Sequence, residues 1–90
     1  MALIYAIVPR KRGTGTCYVG CTARALAQRA REHVAASRRF PRRAVYRFVA
    51  RQGGWGRVRF TVLETMPGAS RRAMLDRESF YIARMGTLNS

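Results

Sequence analysis

Five side chains in this sequence have the chemistry to hydrolyse a phosphodiester: Tyr5, Tyr18, Arg29, His33 and Glu78. A carboxylate can hold a divalent cation, and an arginine can neutralise charge developing on a phosphate. A tyrosine or histidine can handle the proton of an attacking water. Arg29 and His33 stand four residues apart, so on a helix, at about 100° per residue, they project side by side. Glu78 is four residues from both Met74 and Ile82, within an apolar stripe continued by Tyr81 and Met85, whereas Asp76 falls off that stripe. A carboxylate aimed at a core must be paired or metal-bound, because burying it bare is costly. The plain alternative is a structural ion pair with one of the many arginines. Taken singly, the other four have plain readings too. Tyrosines on strands commonly pack, and a histidine at a helix edge commonly serves only as a hydrogen-bonding group.

The elements that must position these groups can be read in chain order. Residues 2–8 are β-branched, aromatic and almost wholly apolar, the pattern of a strand covered on both faces. Pro9 ends it, and residues 10–15 (Arg10, Lys11, Arg12, Gly13, Thr14, Gly15) form a polar, glycine-containing turn. Residues 16–20 return as a second strand, so a hairpin brings Tyr5 near Tyr18. Whether the two share a face depends on the register. Residues 23–38 are alanine-rich and lack glycine and proline, which predicts a helix with Thr22 as its cap. Leu26, Ala30, His33 and Ser37 fall on one stripe of it, with Arg29 at the edge.

Pro41 suits the first turn of a second helix that ends at Gly53-Gly54. Its apolar positions are Val45, Phe48 and Val49, with Tyr46 a further candidate, and Arg42, Arg43, Arg47 and Arg51 lie mostly on the other side. Trp55-Gly56 leads into a third strand over residues 58–63, with Val58, Phe60 and Val62 alternating. Pro67-Gly68 is a turn, and Ser70 caps a last helix that reaches Met85 and is stopped by Gly86. The expected fold is α/β: a small three-stranded antiparallel sheet flanked by helices, in the order β-β-α-α-β-α, as one domain over residues 1–90.

Charge narrows the partner. Eighteen basic residues face four acidic ones, for a formal net charge of +14, and every basic residue but Lys11 is an arginine. A surface of this kind repels itself unless a polyanion screens it, and nucleic acid is the expected polyanion. No segment sets a basic face against a strong Trp/Leu/Phe face, so a membrane surface is not the expected partner. The longest apolar run is too short to span a bilayer and lacks the basic start of a signal peptide. The two cysteines are therefore expected as reduced thiols in an intracellular setting.

A structural zinc wants four ligands, and Cys17, Cys21 and His33 supply three at most. Cys17 reads as a small core residue and Cys21 as part of the loop after the second strand. Gly13-Thr14-Gly15 is too sparse for a phosphate loop and no helix follows it.

Together these residues resemble the GIY-YIG nucleases, a group that includes homing endonucleases, restriction enzymes and repair or structure-selective nucleases. Leu3-Ile4-Tyr5 resembles the first motif, with Leu3 where that motif has glycine, and Tyr18-Val19-Gly20 resembles the second. Gly20-Cys21-Thr22, followed by Leu26, Arg29 and His33, is similar to the family's loop and first helix. Glu78 with Phe80-Tyr81-Ile82, then Leu88-Asn89, is similar to its C-terminal signature. Arg29 lies eleven residues after Tyr18, where some members place it at ten.

The resemblance implies that Glu78 binds one divalent metal, Mg²⁺ or Mn²⁺, and that Arg29 contacts the scissile phosphate. Tyr5 and Tyr18 would position or deprotonate the water with His33 assisting, and Asn89 would make a secondary polar contact. The base stays open between Tyr5, Tyr18 and His33.

The expected activity is metal-dependent hydrolysis of DNA, structure-selective or weakly sequence-specific, because 90 residues leave little surface for reading a long site. Arg10, Lys11, Arg12, Arg42, Arg43, Arg47 and Arg51 are the expected backbone contacts, and a partner protein could supply specificity. The alternatives are a non-catalytic nucleic-acid-binding module of the same fold and a ribonuclease.

Overall fold

A computed structural model of the chain describes residues 2–11 and 15–89. Strand β1 (Ala2–Pro9) lies at the centre of a three-stranded sheet, between β2 (Tyr18–Thr22) and β3 (Val58–Met66), both antiparallel to it. The central place explains its unbroken apolar run: Ile4, Tyr5, Ala6 and Ile7 have no exposed surface, because helices cover both faces of the sheet. On one face Tyr5 and Ile7 pack with Val45, Tyr46, Phe48 and Val49 of helix α2 (Ala44–Gln52) and with Val58. On the other, Ile4 and Val19 pack with Tyr81, Ile82 and Met85 of helix α3 (Arg71–Met85). Helix α1 (Leu26–Arg39) joins the first face through Leu26 and Ala36. The architecture is the mixed α/β order β-β-α-α-β-α expected from the sequence.

Several boundaries differ from expectation, each for a physical reason. The second strand starts at Tyr18 rather than Thr16 and runs on through Cys21 and Thr22, which pair with Ile4 and Leu3. Cys21 is thus a strand residue, not a loop residue. Thr22 does not cap α1. It is tied into the sheet, and its hydroxyl accepts from the Arg24 amide at 3.0 Å in a local turn. The helix therefore begins three residues later than predicted, with Ala25 at the N-cap and no side-chain cap.

Pro41 does not open α2 either. It sits inside a turn closed by the Arg43 amide on the Phe40 carbonyl at 3.2 Å, a position that its fixed φ suits. Arg43, in extended conformation, becomes the N-cap instead. The far end of α2 follows the pattern, with Gly53 in the left-handed region at φ 109°. A short 3-10 turn (Trp55–Arg57) then feeds β3, which outruns its predicted end and slips register opposite Ile4/Tyr5. Ser70 caps α3 by accepting from the Ala73 amide at 3.1 Å.

After Gly86 the chain turns back along β2. The Thr87 and Leu88 amides donate to the Cys17 carbonyl at 3.0 and 3.1 Å, and the Thr87 hydroxyl accepts from the Cys17 amide at 2.9 Å. The Asn89 side-chain oxygen accepts from the Val19 amide at 2.9 Å, and its nitrogen donates to the Val19 carbonyl at 2.6 Å. One side-chain amide thus imitates a neighbouring strand and covers a sheet edge that would otherwise be open to pairing.

Candidate active site

Register decides that the two tyrosines share a face. Tyr5 stands opposite Gly20 and Ile7 opposite Tyr18, so the phenols lie diagonally across the β1–β2 pair with ring centroids 6.5 Å apart. The glycine between them is sterically required. A Cβ on Gly20 would come within 2.5 Å of Tyr5 Oη and 2.6 Å of its Cζ, because the Tyr5 ring lies across that backbone. Leu3, which stands where the first motif has glycine, packs against the larger core cluster.

His33 comes down onto both rings from α1, edge-on at 5.8 Å from Tyr5 and 5.5 Å from Tyr18. Its Nε2 is 2.6 Å from Tyr5 Oη and its Nδ1 is 3.0 Å from Tyr46 Oη. Phe60 and Trp55, stacked on each other at 6.1 Å, pack beside the imidazole. Burial, and then the Arg29 charge, push His33 down to about 4, so the ring is neutral at physiological pH. Burial likewise raises the phenols of Tyr5, Tyr18 and Tyr46 above their ordinary value.

The two tyrosines are not equivalent. Tyr5 has no exposed surface, whereas Tyr18 is half-buried and opens to a cleft of about 370 Å³ lined also by Arg43, Val45 and Asn89. Of the two, Tyr18 is the phenol a substrate can reach.

Arg29 is the arginine that the fold turns inward. Its side chain is 31% exposed, whereas Gln28 and Arg31 beside it are exposed residues. The guanidinium donates to Glu32 Oε1 at 3.2 Å, and its charge acts on the phenols of Tyr5 and Tyr18. Glu32, which sequence reasoning did not single out, bridges Arg29 and Arg24 and so anchors the arginine from one side. An acid three residues from Arg29 on a helix is the signal that could have found it.

Glu78 reaches the same place from α3. Its charge acts on Tyr18 and Cys21, the two residues whose thiol or phenol Arg29 also influences. Burial, followed by the Glu78 charge, pushes the Cys21 thiol up to about 11. Cys21 therefore stays protonated and is not a nucleophile.

The remaining acids are already taken: Glu32 by Arg24 and Arg29, Glu64 by Arg77 at 2.7 Å, and Asp76 by Arg72 at 3.9 Å. The chain holds four acidic residues. Among the described residues Glu78 alone has no arginine partner, so the ion-pair alternative does not hold for it. No group of three or more His, Cys, Asp or Glu side chains converges on a metal position among the described residues. A lone, half-buried carboxylate does fit a hard divalent cation such as Mg²⁺, which keeps most of its waters and takes other oxygens from a phosphate.

Other expected contacts separate by position. Arg43 lines the Tyr18 cleft and its charge acts on Tyr46, while Arg42, Arg47 and Arg51 are exposed on and before α2. Arg10 and Lys11 lie away from Tyr18, beside Gly53 and Arg57, with Arg10 Nε donating to the Gly56 carbonyl at 3.1 Å. Arg12 falls outside the described residues. Asn89 reaches the cleft, but its amide is engaged with Val19, so it holds the Tyr18 strand in place. A larger groove of about 500 Å³, between the sheet and the C-terminal half of α3, contains none of the five candidate residues. No helix among the described residues is long and apolar enough to cross a membrane.

No family model, no curated protein and no solved structure matches this chain.

Proposed function

We propose that this chain is a nuclease of the GIY-YIG type, hydrolysing DNA phosphodiester bonds with the help of a divalent cation. The observation that carries the reading is Glu78. In a protein of net charge +14, one carboxylate has no arginine partner among the described residues, and its charge acts instead on Tyr18 and Cys21, as does that of Arg29. Leaving it unpaired costs stability unless something cationic arrives.

Glu78 would hold Mg²⁺ or Mn²⁺, which supplies charge neutralisation at the scissile phosphate when bound. Arg29 would approach the same phosphate from α1 and offset its developing charge with N–H groups not used by Glu32. Tyr18, the phenol open to the cleft, orients the attacking water. Tyr5 and His33 sit behind it and fix Arg29. The neutral imidazole keeps the capacity to accept a proton. Arg43 beside Tyr18 and the exposed arginines of α2 hold the flanking backbone without reading bases. Cleavage would be structure-selective or weakly specific, with any further specificity supplied by a partner protein.

The test is a panel of labelled single-stranded, duplex, flap and junction DNAs with Mg²⁺ or Mn²⁺ at low salt, with matching RNAs alongside, because a basic surface does not distinguish the sugars. Cleavage that vanishes in Glu78→Ala and in Arg29→Ala supports the reading. Folded protein that binds these DNAs but cuts none of them overturns it in favour of a binding module. Cleavage confined to RNA would make the chain a ribonuclease.

A further inference from the structure

Tyr46 was expected only as a packing candidate of α2, yet among the described residues its hydroxyl is the polar atom that meets His33 Nδ1. The two hydrogen bonds on this imidazole are unequal. Nε2 to Tyr5 Oη measures 2.6 Å and Nδ1 to Tyr46 Oη measures 3.0 Å. Bonds donated by a hydroxyl are typically the shorter kind, and those donated by an N–H centre on about 2.9–3.0 Å. A neutral imidazole has one donor and one acceptor nitrogen. The lengths therefore assign the acceptor to Nε2 and the proton to Nδ1.

The neighbours agree with this direction. Arg29 can only donate, and its charge acts on the Tyr5 oxygen. Tyr5 then has its own proton free to give to Nε2. At the other end Arg43, again only a donor, places its charge near the Tyr46 oxygen. Both rings and both hydroxyls are enclosed: Tyr5, His33 and Tyr46 are 0%, 2% and 5% exposed, so water does not readily scramble the order.

We propose that Tyr46 is a positioning residue: by accepting the Nδ1 proton it locks His33 in the tautomer that takes the Tyr5 hydroxyl proton, which turns the Tyr5 oxygen lone pairs toward Arg29. The chain of donors runs Tyr5 to His33 to Tyr46. It presents the Tyr5 oxygen to the Arg29 charge from a buried anchor on a different helix.

The catalytic meaning of this chain rests on the nuclease reading, whereas the tautomer does not. The experiment uses the full chain labelled with ¹⁵N-histidine, in which long-range ¹H–¹⁵N correlations report which ring nitrogen of His33, the only histidine, carries the proton. The wild type is expected to show the Nδ1–H tautomer near neutral pH. Tyr46→Phe, which keeps the ring and removes only the acceptor, is expected to shift the population toward Nε2–H. An Nε2–H tautomer in the wild type overturns the proposal whether or not the variant folds. So does a folded Tyr46→Phe that keeps Nδ1–H.

On any DNA substrate that the wild type cuts, Tyr46→Phe should lower kcat about 10- to 100-fold with little change in KM, the scale for loss of an orienting partner. An unchanged kcat overturns the positioning role even where the tautomer moves. Should the wild type cut nothing while the tautomer behaves as stated, the nuclease reading fails and the locked tautomer stands.

Discussion

At the scale of single residues, Gly20 is the position where the fold has no slack. Its missing Cβ is the space that the Tyr5 ring occupies, and Tyr5 is walled in on every side. Gly20→Ala should cost about 1–3 kcal/mol through overpacking, measured by urea denaturation. If the chain is the nuclease proposed above, cleavage should fall further than the stability loss explains, because the displaced ring carries His33 with it. His33 gives a second residue-level expectation. Its folded-state value is near 4, below the ordinary value of about 6.5 that applies in the unfolded chain. Between these values the unfolded chain binds more protons, so stability is fully present above about 6.5 and is lost as pH falls toward 4, by at most about 1.4 kcal/mol per pH unit. Urea midpoints across that range should slope more steeply for the wild type than for His33→Gln, and equal slopes would remove burial as the cause.

The five candidate residues were legible from type and spacing, but their division of labour was not. Tyr46 hid in the apolar stripe of α2, where only the need of a buried phenol for a partner marks it out. Cys21 was hidden by a strand boundary. That Glu78 has no arginine partner among the described residues is a fact of three-dimensional packing.

At the scale of elements, the order of strands and helices could be read because its signals are local: alternation in β3, Ser70 before α3, Gly53 after α2. The starts of α1 and α2 could not, because tertiary pairing outbid the local cap. Thr22 belongs to the sheet through Leu3, and Pro41 serves a turn. A consequence is that α1 begins without a side-chain cap. Ala25→Ser should therefore stabilise the protein by about 1 kcal/mol, visible as a higher urea midpoint. The edge of β2 yields the opposite expectation. Asn89→Ala removes both bonds to Val19 and should cost about 2 kcal/mol. Hydrogen exchange would localise the loss, with the Val19 amide deprotected while the β1–β3 amides stay slow.

At the scale of the whole molecule, the net charge of +14 opposes compaction. Raising NaCl from about 0.05 to about 0.5 M shrinks the range of that repulsion well below 10 Å and should raise Tm. A falling Tm would show that the surface ion pairs outweigh it. Affinity for DNA should move the other way, by roughly 10³- to 10⁵-fold between 50 and 200 mM salt if six to ten phosphates are contacted. The four acids matter here once more. Three are neutralised by arginines and the fourth lies in the site, which leaves almost nothing to push a polyanion away. If the chain is the nuclease proposed above, its hardest step comes after bond cleavage, because the nicked strand ends gain negative charge while the arginines remain in place. Turnover would then open with a burst equal to the enzyme present and settle to a rate set by departure of product. Moderate salt should speed that steady rate while it weakens binding, until occupancy fails.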